Sequence, residues 1–182
     1  MKYMLMGNYR APVFIRITLF CSLIFLALFW VTGFLMYFRN MGLNPESVVQ
    51  HYLGSEEQFS MPRTYGAMLE VSHAHFAMMS VVLLLITHLA LFFPWSLRLR
   101  VGLVLGCFGG ALLGESAGWL IRFVDPIFAW LKIFGFLSLQ ISLGVLLGGL
   151  AWYLKGRPET AFPLPAGQPP APPRPTVPTA RT

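Results

Sequence analysis

Three of the chain's four histidines share one apolar stretch with a carboxylate, LEVSHAHFAMMSVVLLLITHLALFF. Glu70, His73, His75 and His88 are residue types that ligate metals, hold haem iron or carry protons. Inside a bilayer such groups cost several kcal/mol, and they usually face a bundle interior, a pathway or a partner. Functional chemistry is therefore expected on this segment first. At about 100° per residue, His73 shares a helical face with Ala77, Ser80, Leu84, Thr87 and His88, and Glu70 falls about 60° away. That small and polar stripe is expected to face the bundle. His75 lies about 200° from His73, beside Met78, Met79, Val82 and Ile86, so one metal ion is not chelated by both histidines from a regular helix.

Two ligand chemistries fit these spacings. Glu70 and His73, at i and i+3, match the Glu-x-x-His of carboxylate-bridged metal sites. Further ligands have to come from elsewhere, with Glu115 and His51 as the obvious sources, which gives a transition-metal site or carrier on Glu70, His73 and His51. The pair His73 and His75 suits a helix whose two sides each ligate a haem, as in the H-x-H helix of haem-copper oxidases. His88, about 20 Å deeper than His73, resembles the two-level histidine spacing of diheme b-type cytochromes. The remaining apolar segments contain no histidine. Haem b would then use His73, His75, His88 and Met36 as candidate ligands, with Met36 or a second subunit completing the coordination. Glu115 and Lys132 are expected to pair with each other, because an isolated ion in lipid neutralises or finds a counter-ion.

The elements that carry these residues follow from composition. The 182 residues are 56% apolar and 11% charged. Four apolar runs, at about 12–38, 66–93, 101–121 and 126–154, each reach the roughly 20 residues a helix needs to cross the hydrocarbon. The fold class is all-α: an integral membrane bundle of four transmembrane helices over residues 1–155. Strands of a barrel would be shorter and alternating. Asn44, Pro45 and Gly54 mark a short helix at about 45–53, whose stripe of Val48, Val49, Tyr52 and Leu53 suits a membrane interface. From Gly156 to Thr182 there are nine prolines, and this segment is expected to be a disordered cytoplasmic tail.

The net charge of +6 is a topology signal and not a nucleic-acid footprint. Lys2, Arg10, Arg16, Arg98, Arg100, Lys155 and Arg157 fall on one side of the bundle. The other side mixes Arg39, Arg63 and Arg122 with Glu46, Glu56, Glu57 and Asp125. By the positive-inside rule both termini are cytoplasmic and Glu70, His73 and His75 lie near the outer surface. The first run is too long for a signal peptide and lacks its cleavage site. Cys21 and Cys107 do not form a disulfide framework, and without CxxCH there is no covalent haem. No nucleophile triad, P-loop, zinc-protease motif or dinucleotide fingerprint is present. Catalytic activity of the chain on its own is not expected.

The third run repeats glycine at 102, 106, 110, 114 and 118, which allows a neighbouring helix or a flat cofactor to approach the backbone. Packing against the fourth run is the expected use. In the blocks MGLNPESVVQHYLGSEEQF, LEVSHAHFAMMSVVLLLITHL and ESAGWLIRFVDPIFAWLKIFGF, the chain resembles a family of small four-span proteobacterial membrane proteins with no established activity. The resemblance runs from the first span through the fourth and excludes the tail. It implies the fold and a bacterial inner membrane, and nothing about chemistry. The residues themselves give three expectations: a haem b or quinol-associated electron-transfer component, an accessory subunit of a larger membrane complex, or a periplasm-facing metal site. The implied partners are the lipid bilayer and a membrane redox complex or a homo-oligomer.

Overall fold

In the computed structural model the described residues are 13–56, 59–90, 93 and 95–155, so the proline-rich segment lies outside them. They form long helices α1 (Val13–Asn40), α3 (Tyr65–Leu89), α4 (Leu97–Phe123) and α5 (Ala129–Lys155), and a short α2 (Pro45–Leu53). Among the described residues there is no strand, only an isolated bridge between Ser55 and Ser60. Four helices are long and apolar enough to cross a membrane. This is an all-helical membrane protein.

Side-chain caps open α3 and α4, whereas Asn44 ahead of α2 makes no side-chain cap hydrogen bond. Thr64 accepts from the Ala67 amide at the head of α3 and Ser96 from the Leu99 amide at the head of α4. Such caps satisfy amide donors that have no partner within the helix. Because Ser96 caps it, α4 begins a turn ahead of the apolar run at Val101, and Arg98 and Arg100 belong to its first turns. Asp125 accepts from the Ile127 amide at 2.8 Å and opens a 3-10 turn, Pro126–Phe128, that leads into α5.

The centre of the bundle is α5, the most enclosed of the four spans, whereas α1 exposes nearly all of its surface. Glycines decide how α4 meets α5. A Cβ added to Gly110 would sit 2.7 Å from the Leu139 nitrogen, and one on Gly135 would sit 2.6 Å from the Gly114 nitrogen. The two backbones touch directly, which is what small-residue stripes provide where lipid gives helices no hydrophobic drive to associate. The groove of α4 is thus filled by α5.

Helix α1 leans on α5 through rings and polar tips. Tyr37 stacks on Phe136, the Trp30 indole donates to the Gln140 carbonyl at 2.9 Å, and Arg16 donates to the Leu154 carbonyl at 2.8 Å. The short α2 lies across the end of the bundle where α3 begins. Its Val48 and Tyr52 are buried with Met68, Ile121, Ala129 and Ile133. The expected interfacial stripe is in this way half spent on protein. Gly118 makes the seat, since a Cβ there would lie 2.8 Å from the Tyr52 hydroxyl.

Candidate polar site at the α2 end of the bundle

The rotation of α3 determines which ionisable groups meet. Met68, Ser72, Leu83 and Ile86 are buried, His75 and Met79 are half-buried, and Glu70, His73, Ala77, Ser80, Leu84 and His88 are exposed. This reverses the expected orientation: the small and polar stripe points out and the His75 side points in. The inward face carries the larger apolar groups, and filling the space beside α4 and α5 with them buries more apolar surface than the small stripe could.

The inward rotation assembles a hydrogen-bonded chain. The Trp119 indole donates to Ser72 Oγ at 2.8 Å, and Ser72 Oγ donates to Glu115 Oε1 at 2.5 Å. His75 Nδ1 lies 3.1 Å from Glu115 Oε2. A carboxylate only accepts, so His75 donates from Nδ1–H, a tautomer that in a neutral ring leaves Nε2 as an acceptor. The His75 side chain is 45% exposed and that of Glu115 only 13%. A carboxylate removed from solvent and satisfied by two donors therefore holds an imidazole whose outer edge stays accessible.

Lys132 does not take Glu115 as its partner. Among the described residues the only ion pair within 4 Å is His75 with Glu115. The Lys132 ammonium donates instead to the Gly114 carbonyl at 2.8 Å and lies 5.6 Å from the centre of the Tyr52 ring. Both contacts join α5 to its neighbours, so the direct ion pair expected for Lys132 and Glu115 is not made, although the Lys132 charge still acts on the Glu115 carboxylate from farther away.

Outside the spans, His51 of α2 meets Arg63, with His51 Nε2 3.4 Å from the guanidinium. Arginine only donates, which makes Nε2 the acceptor and Nδ1 the protonated nitrogen. Burial, then the positive charges of Arg63 and Lys132, push the His51 pKa down to about 4. Arg63 is fixed through its backbone, receiving the Arg122 Nε–H at its carbonyl (2.9 Å) and donating its amide to the Tyr52 carbonyl (3.0 Å). Asn40, Ser47, Gln50, His51, Ser60 and Arg63 line a polar cleft of about 360 Å³ there. Arg122 in this way ties the α2–α3 loop to α4.

The other candidate ligands stay apart. Met36 is 63% exposed on α1. Glu70, His73 and His88 are exposed, with no side-chain hydrogen bond or ion pair among the described residues. Among those residues no group of three or more His, Cys, Asp or Glu is placed to hold a metal ion. Ser72 and Trp119, which complete the Glu115 site, were missed in the sequence. Their signal was Ser72 at i−3 from His75, one turn away on the same face.

All of these polar contacts lie within the segment that a family model covers. The model Aq_1264_TM, a transmembrane helical domain, matches residues 42–161. The chain belongs to that family. The matched segment takes in α2 through α5, with Glu115, His75, Ser72, Trp119, Lys132 and His51, and leaves α1 outside. No curated protein and no solved structure matches the chain. It is a multi-pass integral membrane protein.

Proposed function

We propose that the chain is a quinol-associated component of membrane electron transfer, with His75 and Glu115 as its head-group site. The observation that carries this reading is the half-exposed His75 imidazole, whose Nδ1–H is committed to the enclosed Glu115 and whose Nε2 has no partner among the described residues. A quinol hydroxyl has the matching donor. When the quinol is oxidised one of its two hydroxyl protons passes to Nε2 and the imidazolium is stabilised by Glu115, the second proton is released to water at the outer membrane surface, and the two electrons leave to an oxidising redox partner subunit. The chain itself performs binding and proton acceptance only.

An apolar groove supports the same reading. Ile17, Cys21, Phe25 and Phe29 of α1 and Val82 and Leu85 of α3 line about 520 Å³. Val82 lies seven residues beyond His75, nearly two turns down the same line of the helix, about 10 Å away. A molecule with a polar head at His75 could lay an isoprenoid chain toward this groove. The lysine and arginine distribution supports both termini on the inner side with the polar site facing outward, and the resemblance to four-span proteobacterial proteins supports a bacterial inner membrane.

The haem b form of the reading is less well supported. His73, His88 and Met36 are exposed, and His75 is engaged with Glu115. Axial ligands would have to come from two copies. A transition metal at Glu70, His73 and His51 meets the same shortage of converging ligands.

Photolabelling with an azidoquinone in native membranes tests the proposal. Label competed by unlabelled quinone should map to α3 near His75 and to the α1 groove, and His75→Phe should remove most of it. Competable label that is unchanged in His75→Phe, or absent altogether, would refute the site. A Soret band in the purified protein would move the reading to haem.

A further inference from the structure

Beside α2, the loop that leads into α3 borders a cleft that takes no part in the His75 site. It is lined by Asn40 at the end of α1, by Gln50 and His51 of α2, and by Ser60, Met61 and Arg63 of the loop. Its volume of about 360 Å³ reaches the roughly 300 Å³ at which pockets for small molecules begin. None of the residues around it is acidic. Donors dominate instead. The Arg63 guanidinium has N–H groups beyond the one it gives to His51 Nε2, and the Gln50 amide makes no side-chain hydrogen bond among the described residues. His51 Nδ1–H is likewise uncommitted there, because Nε2 is the nitrogen that accepts from Arg63.

Charge points the same way. Among the described residues Arg63 belongs to no ion pair. The charged groups that act on His51 are Arg63 from the loop and Lys132 from α5, and both oppose its protonation. Glu46 of α2 is exposed and lies about 140° round the helix from His51. The cleft therefore keeps a positive charge that no described carboxylate neutralises. A guanidinium in such a place binds oxyanions through paired N–H groups. Arg63 is also fixed before any ligand arrives, since its amide donates to the Tyr52 carbonyl at 3.0 Å and its carbonyl accepts from Arg122 at 2.9 Å. Such preorganisation lowers the ordering cost of binding.

The height of the cleft in the membrane bears on the source of the anion. The spans Arg16–Asn40 and Tyr65–Leu89 are each 25 residues long. At 1.5 Å per residue each measures about 37 Å against a hydrocarbon core of roughly 30 Å, so their ends reach the headgroup layer. Asn40 ends the first span and Arg63 comes just before the second, which puts the cleft at the level of lipid phosphates. Met61, which also lines it, is 89% exposed and Phe59 is 95% exposed, and apolar groups beside a basic one suit that boundary. We infer that the cleft binds a phosphate group, with Arg63 as its charge partner and Gln50 and His51 as hydrogen-bond donors. A phospholipid headgroup and a soluble phosphate ester share this chemistry. The inference is independent of quinol binding, because none of these residues belongs to the pair of His75 and Glu115.

Two probes test this on the full chain. Phosphatidylglycerol is offered in nanodiscs, and the lipid retained through delipidation is counted by native mass spectrometry. Glycerol phosphate is titrated in detergent and followed by phosphorus NMR line broadening. The protein should bind at least one probe saturably, and Arg63→Gln should weaken that binding about tenfold or more, the worth of a charge-assisted hydrogen bond. Retained lipid without a response to glycerol phosphate identifies a headgroup site, and a response to glycerol phosphate identifies a site for phosphate esters in general. Arg39→Gln alters an exposed arginine at the same end that does not line the cleft, and it should change neither readout. Saturable binding of neither probe, or equal losses in Arg63→Gln and Arg39→Gln, overturns the inference. Hydrogen exchange across Pro45–Leu53 shows whether α2 stays docked in Arg63→Gln. If it loosens, Gln50→Leu carries the same test: weakened binding with native exchange upholds the site, and unchanged binding overturns it.

Discussion

His51 is the residue whose environment makes the most definite pH statement. Its pKa is depressed to about 4 against an ordinary value near 6.5, so the unfolded or undocked loop binds a proton that the docked loop does not. The sign follows directly. Docking of α2 is fully supported above about pH 6.5 and weakens as pH falls toward about 4. Proteolysis or hydrogen exchange across Pro45–Leu53 should therefore rise between pH 7 and 4, and His51→Gln should flatten that dependence. Ser72 is the second informative residue. Ser72→Ala removes the hydroxyl that joins Trp119 to Glu115 and should destabilise the bundle by about 1–3 kcal/mol, the usual cost of leaving a buried polar partner unsatisfied. Thermal unfolding in detergent measures this, and a neutral result would mean that water replaces the hydroxyl.

At the scale of elements, the α4–α5 contact and the docking of α2 are the two joints that hold the site. Gly110 and Gly135 bring two backbones together, so Gly110→Val should overpack that joint and cost about 1–3 kcal/mol or more. At Gly66, where an added Cβ meets nothing, Gly66→Ala should leave the stability of a single subunit unchanged. Lys132 links both joints, donating to Gly114 and lying over Tyr52. Lys132→Ala should lower the melting temperature and release α2 while leaving the contact between His75 and Glu115 intact. If it abolished quinone labelling without loosening α2, Lys132 would belong to the binding site and not to the frame.

At the scale of the whole molecule, topology is the property to measure. Charge asymmetry predicts that an impermeant thiol reagent reaches a cysteine at position 56 from the periplasmic side and one at position 96 only after the membrane is permeabilised. Reversed accessibility would turn the His75 site toward the cytoplasm. The spans were legible because length and apolarity are local properties, and the caps only in part: Asp125 caps as its type suggests, Asn44 makes no side-chain cap hydrogen bond, and Thr64 and Ser96 cap α3 and α4 without having stood out in the sequence. The site was legible only in part. Glu115 and His75 stood out as ionisable groups in apolar segments, but their pairing did not, because α3 is apolar on nearly every side and its composition does not reveal which face turns inward.

By itself the sequence determined an all-helical membrane bundle, its four spans, the short helix at its end and the layer in which its ionisable groups lie. Hydrocarbon thickness and backbone hydrogen bonding leave an apolar chain little other choice. The rotation of each helix was decided only by the tertiary structure. Close contact of Gly110 with Gly135 and burial of Met68, Leu83 and Ile86 turned His75 and Ser72 toward Glu115, left Lys132 to the Gly114 carbonyl, and put Glu70 and His73 on the outer surface. Depth is written residue by residue along a helix, whereas azimuth is a property of the neighbours it packs against.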